Sequence, residues 1–349
     1  MDPSLKLTSS RVSANDYEEV FDYLYKSRMT DGLPVVPPTE DRVARMVAGS
    51  GRDPRELIGK IPPALGDATV EKIAVNAVMA GCLPEYMPVI IAAVEGMVEE
   101  AFDLYGLQTT TNPGTVGLII NGPIRKRLDV NCESGCMGPG WRANSTIGRA
   151  IRLILLNIGG ATVPDVSKTT QAFPGRFSFC FGENEEESPW EPLHVERGFK
   201  PEQSCVTVIA PHGTLNMTFG DRLVATEGLP LMAATINDPA TNHYSLFTGE
   251  PLIVFNPIHA RELNAAGYGK RELKRYFWER CRWPVDKLSS LARERRLKKP
   301  HLIFDGMAPM VPSPEYYMIV VAGGHGGLHT TFVPSFGEPS AITKVIREP

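Results

Sequence analysis

Val116-Gly117-Leu118-Ile119-Ile120 leads through Asn121-Gly122-Pro123-Ile124 to Asn131-Cys132-Glu133-Ser134-Gly135-Cys136-Met137-Gly138-Pro139-Gly140. The first stretch is apolar without alternation, the pattern of a strand covered on both faces. The last is a glycine-rich loop carrying two thiols. Beyond it, Ile147, Ile151, Ile154, Leu155 and Ile158 recur at helical spacing. Asn144 or Ser145 is placed to cap this helix, Gly159-Gly160 to close it, and Arg149 and Arg152 are expected to face outward. Strand, loop and amphipathic helix in that order are the unit of an α/β fold.

Outward from this unit the alternation continues. Apolar spacing predicts helices over 14–29, 40–48, 69–80, 85–101 and 269–282, and strands over 177–181, 206–210, 252–255 and 317–322. The expectation is an α/β protein of two lobes, with mostly parallel sheets flanked by helices. The N-terminal lobe spans 1–165, an irregular connecting segment 166–203, and the C-terminal lobe 204–349. Leu118-Ile119-Ile120-Asn121-Gly122-Pro123-Ile124 is echoed by Leu252-Ile253-Val254-Phe255-Asn256-Pro257-Ile258, which fits two related halves. The 85–101 helix is apolar nearly all round, at Val89, Ile90, Ile91, Ala92 and Val94. That suits a homo-oligomer interface and a core position equally.

The 349 residues are 42% hydrophobic and 22% charged, enough for a large core. A net charge of -4 and no long basic run exclude nucleic acid as the main partner. No apolar run approaches a membrane span, so no membrane partner is expected. Met1-Asp2-Pro3-Ser4-Leu5-Lys6 has no apolar signal segment, so a cytoplasmic setting is expected. Six scattered cysteines there are free, catalytic or metal-bound, not a disulfide framework.

A thiol reacts as thiolate and needs positive potential nearby. The helix start at Asn144, Ser145 and Thr146, together with Arg142, offers it and suits an anion. Cys132 and Cys136 can cycle between dithiol and disulfide, with Glu133 as an acid or base; a buried loop of inert cysteines is the plain alternative. Ligands of parallel sheets bind at strand carboxyl ends, here the loops after Ile120, Phe255 and Ala322. After the last of these come Gly323-Gly324-His325-Gly326-Gly327-Leu328-His329. Backbone N–H groups of Gly323, Gly324, Gly326 and Gly327 can cradle an anion, and His325 and His329 can move protons. His259, after the 252–255 strand, is a further binding candidate. The acidic run Glu183, Glu185, Glu186 and Glu187 reads as solvated. Cys132, Cys136, His194 and Glu191 form an alternative divalent-metal set without a strong spacing. No other cofactor is indicated.

Several stretches together resemble the UGSC family of (seleno)proteins, distantly similar to the glycine and D-proline reductase selenoproteins. They are Asp31-Gly32-Leu33-Pro34-Val35-Val36-Pro37-Pro38-Thr39, Gly138-Pro139-Gly140-Trp141-Arg142-Ala143-Asn144-Ser145-Thr146-Ile147-Gly148-Arg149-Ala150, His259-Ala260-Arg261 and the 323–329 loop. The family motif is selenocysteine-Gly-Ser-Cys, whereas this chain has Cys132-Glu133-Ser134-Gly135-Cys136. The resemblance implies thiol chemistry in an α/β protein. The expected function is a cysteine-dependent enzyme acting on a small anionic substrate, by reductive bond cleavage through the Cys132/Cys136 dithiol. A metal-dependent lyase or hydrolase and a non-catalytic two-lobe binding protein are the alternatives.

Overall fold

The computed structural model describes residues 7–219, 224–246 and 249–349. Its strands in chain order are β1 (Leu57–Ile61), β2 (Gly66–Thr69), β3 (Gly117–Asn121), β4 (Cys180–Gly182), β5 (Cys205–Ile209) and β6 (Leu215–Thr218). They continue with β7 (Leu252–Phe255), β8 (Arg282–Pro284), β9 (Met307–Pro309), β10 (Met318–Val321), β11 (His329–Val333) and β12 (Ile342–Val345). Two four-stranded sheets have the orders β12-β5-β3-β4 and β10-β7-β11-β6. In each, an edge strand runs parallel to its neighbour, β4 to β3 and β10 to β7. The remaining pairings are antiparallel.

The α/β expectation holds, but the sheets are mixed rather than mostly parallel. Continuous apolar runs report burial on both faces and carry no information on strand direction. The expected border near residue 204 runs through a sheet: the 204–349 segment supplies β5 and β12 to the sheet that holds β3. One strand crosses back: β6, β7, β10 and β11 form their sheet from a single stretch of chain, and β12, which follows β11, returns to pair with β5. β3 and β7, the two members of the sequence echo, occupy the same place in their sheets.

Side chains alternate across each strand, so every sheet has two buried faces. Leu118, Ile120, Val206 and Val208 pack with the helices Val70–Ala80, Met87–Met97 and Arg142–Asn157. Ile253, Phe255, Ile319 and Val321 pack with Leu229–Ile236, Pro257–Ala265 and Lys270–Arg280. Between the sheets, Ile119, Phe181 and Ile209 meet Leu252, Val254, Met318 and Val320. The layers are therefore helices, sheet, sheet, helices. Each fully buried side chain of this size stabilises by ~1.5–3 kcal/mol.

The 87–97 helix lies on β5: a Cβ added at Gly96 would sit 2.8 Å from Val208 Cγ2. Burial inside the chain thus accounts for its all-round apolar surface. Among the described residues no helix is long and apolar enough to cross a membrane.

Arg149 and Arg152 face inward, contrary to expectation. The proline-rich strap at 31–39 covers that side of the 142–157 helix. Arg149 donates to both carboxylate oxygens of Asp31 at 2.8 Å and to Pro34 O at 2.8 Å. Burial lowers the Arg152 pKa, and the nearby Asp31 carboxylate acts in the opposite direction. The Asp31 side chain is 3% exposed, so removing it strands two buried cations. Asp31→Ala is expected to cost ~3–5 kcal/mol in urea unfolding. Asp165→Ala, which removes the exposed partner of Arg28, is expected to cost under ~1 kcal/mol.

Candidate functional site

The cysteine loop sits where the two sheets meet. β3 and β4 end side by side, extended by the Glu183 N–H donating to Ile120 O at 3.1 Å. The next residue crosses to the other sheet, its Asn184 N–H donating to Val321 O at 2.7 Å. Gly182 N–H donates to Asn131 O at 3.1 Å and Gly323 N–H to Cys132 O at 2.9 Å. Strand ends from both sheets thereby hold one loop, and the glycine-rich 323–327 segment lies against it. A Cβ at Gly324 would fall 1.9 Å from Ser134 Oγ, so only glycine permits this approach.

Two asparagines shape the loop. Asn131 N–H donates to Asn144 Oδ1 at 2.8 Å, and Asn144 Nδ2 donates to Asn131 O at 2.9 Å and Cys136 O at 3.0 Å. Asn131 Nδ2 donates to Ser134 O at 3.0 Å, while its Oδ1 accepts from Glu133 N–H at 2.8 Å. The helix starts at Arg142 rather than after Asn144, with Trp141 as an N-cap that makes no side-chain bond. Asn144 is therefore a buried tie for the loop and not a cap. Ser145 N–H and Thr146 Oγ1 are used within the helix, on Trp141 O and Arg142 O. Arg142 turns away from the cysteines and donates to Gly81 O at 3.0 Å.

The two thiols differ. Cys132 is half-buried, and Arg125 Nη1 lies 3.6 Å from its sulfur. Burial raises the Cys132 pKa, with Arg125 acting in the opposite direction. Cys136 is buried. Burial first, and the charge of Cys132 second, push it up to about 12. Backbone N–H groups of Met137, Cys136 and Gly323 partly offset this.

The acidic run is solvated only in part: Glu186 is exposed, but Glu183 and Glu185 are not, contrary to the sequence reading. Glu183 is fully buried, accepting from Leu193 N–H at 2.8 Å and Asn121 Nδ2 at 2.7 Å. Burial raises its pKa. Glu185 and Glu186 clasp the buried Arg125 at 3.0 and 3.1 Å. Glu187 continues the run to the rim, where it pairs with Arg261 at 2.5 Å and lies 3.9 Å from His325 Nε2. Arg261 Nη2 is 3.4 Å from His325 Nδ1. Sequence reasoning missed Arg125, Asn131, Glu185, Glu186 and Arg261 as parts of the site. The available signal was the pairing of Arg125-Lys126-Arg127 with Glu185-Glu186-Glu187 after two strands that prove adjacent.

Other candidates are not brought to this loop. His329 bonds Asn216 and Thr218 of β6 through Nδ1, at 3.2 Å each. His259 is buried, with Nδ1 3.0 Å from Thr330 Oγ1 and its ring stacked on Phe219 at 4.9 Å. Glu133 is exposed, and its carboxylate raises the Cys132 pKa slightly. The alternative metal set is not assembled. His194 is buried, Glu191 is exposed, and among the described residues no three His, Cys, Asp or Glu are grouped to hold an ion.

The Arg125 charge is what opposes the burial of Cys132. Arg125→Met is expected to slow iodoacetamide alkylation of Cys132 at pH 8 by ~10-fold or more, since loss of a cation this close raises a thiol pKa. Unfolding would accelerate alkylation, so the direction of change separates the two effects. Compared with known proteins, the chain matches no protein-family model and no curated protein.

Proposed function

We propose that the chain is a thiol-dependent enzyme that reduces a small anionic substrate, with Cys132 attacking and Cys136 as the second thiol. The observation that carries this reading is the contrast between the thiols. Cys132 is half-buried beside a guanidinium, and Cys136 is enclosed, with three N–H groups favouring its anion. The resemblance to the UGSC (seleno)proteins supports the same chemistry. A reducing cytoplasm, with an external dithiol available, is the setting this reading assigns.

In the first step the Cys132 thiolate forms a bond to an electrophilic atom of the substrate. The leaving group departs with the electron pair and takes a proton from the His325 side of the rim. In the second step Cys136 loses its proton and attacks the Cys132 sulfur. The disulfide forms, and the bond from Cys132 to the substrate atom breaks with its electron pair going to that atom, which is protonated. Two electrons and two protons pass from the dithiol to the substrate, and the external dithiol restores both thiols. Once Cys132 is covalently occupied, its charge no longer raises the Cys136 pKa, so attack by Cys136 becomes easier after the first step and not before it. Arg261 and the N–H groups of Gly324, Gly326 and Gly327 are the groups that hold the anion.

An anionic aromatic disulfide, 5,5′-dithiobis(2-nitrobenzoate), tests the order of attack. The native protein is expected to release both aryl thiolates and to form the Cys132–Cys136 disulfide. Cys136→Ser is expected to stop after one, leaving a mixed disulfide on Cys132 detectable by mass spectrometry. Cys132→Ser is expected to slow release by ~10-fold or more. Unchanged release by Cys132→Ser sinks the reading and leaves the non-catalytic binding protein.

A further inference from the structure

We propose that the cavity between the 40–48 helix, the turn at 81–84 and Arg142 binds a phosphomonoester bearing a short apolar group. This open cavity has a volume of about 200 Å³ and is lined by Arg42, Arg45 and Arg142 together with Val36, Met46 and Leu83, among others. It opens on the Gly81 flank of the first turn of the 142–157 helix, whereas the cysteine loop is tied to the Asn144 flank. The two sites are thus separate, and the proposal does not depend on the thiol chemistry.

Three observations point to the ligand. The first is charge. Arg42 is half-buried and Arg45 and Arg142 are exposed, and among the described residues none of the three is ion-paired with a carboxylate, whereas Arg149 is paired with Asp31 and Arg125 with Glu185. Arg42 and Arg45 stand three residues apart on the Glu40–Ala48 helix, on one face. Like charges at that spacing repel, and an anion between them and Arg142 relieves the repulsion.

The second is positioning. Each guanidinium is anchored by one N–H to a backbone carbonyl: Arg42 Nη1 to Pro37 O at 2.9 Å, Arg45 Nε to Asp41 O at 3.4 Å, and Arg142 Nε to Gly81 O at 3.0 Å. Each anchor uses one of five donors and leaves the others for a ligand. Arg142 is also the first residue of a 16-residue helix whose N-cap makes no side-chain bond, so the helix start adds positive potential beside it.

The third is the lining between the charges. Met46 is buried, Leu83 is partly so, and Val36 lies exposed at the edge. Three guanidinium groups lining one cavity match the two charges and three free oxygens of a phosphate dianion better than the single charge of a carboxylate. The apolar lining takes the substituent.

Calorimetry at low salt with n-butyl phosphate, inorganic phosphate and pentanoate tests this on the full chain. Butyl phosphate is expected to bind, inorganic phosphate ~10-fold more weakly for want of the apolar group, and pentanoate at least ~10-fold more weakly for want of the second charge. Arg45→Gln and Arg142→Gln, checked for native circular dichroism, are each expected to weaken butyl phosphate binding by ~10-fold. Cys132→Ser is expected to bind it as the native chain does. Absence of binding at millimolar concentration overturns the proposal. So does affinity unchanged in both arginine variants, or pentanoate binding as tightly as butyl phosphate.

Discussion

Ile119, Phe181 and Ile209 on one side, and Leu252, Val254, Met318 and Val320 on the other, form the apolar layer that joins the two sheets. Everything at the candidate site depends on it. The layer sets β4 and β10, the parallel edge strands of the two sheets, close enough at their ends for Asn184 to bond Val321. The return of β12 reinforces this joint, because the sheet that holds β3 and β5 needs a strand from beyond the whole of the other sheet to complete it. That sheet cannot form its full hydrogen-bond ladder until the C-terminal end of the chain is in place.

At that joint the chemistry is electrostatic. Arg125 is 2% exposed, and a cation so buried is stable only if it is paired. Glu185 and Glu186 pair it, and because they follow β4 directly they also fix the strand end that supports the cysteine loop. The thiol of Cys132 therefore sits beside a cation that is already largely neutralised, which is why burial prevails and its pKa is raised. A thiol held in this way is protected at rest. Cys136, further in, is still more protected.

The 142–157 helix serves three places at once. Its Asn144 ties the cysteine loop, its Arg142 reaches the three-arginine cavity, and its Arg149 clamps the proline-rich strap through Asp31. A rigid helix with such different neighbours along its first two turns links the strap, the cavity and the thiols mechanically.

Much of the secondary structure was legible in the sequence. The runs at 117–121, 252–255 and 318–321, and the helix at 70–80 with its Thr69 cap and left-handed Gly81, follow from local burial and local capping bonds. The echo between 118–124 and 252–258 was also present there, and it marks strands in matching positions. The placing of a two-thiol loop after β3, within reach of the glycine loop after β10, was legible as a possibility of the fold class. Strand direction, the return of β12 to the first sheet and the partners of charged side chains were decided only by the tertiary structure. A buried strand has the same composition whether its neighbour runs parallel or antiparallel. A glutamate next to an arginine sixty residues away in sequence looks solvated until the strands between them pair. Asn144 and Arg149 show the same limit: one side chain type serves a cap or a loop tie, a solvent face or a buried clamp, and only the neighbours brought by long-range folding select between them.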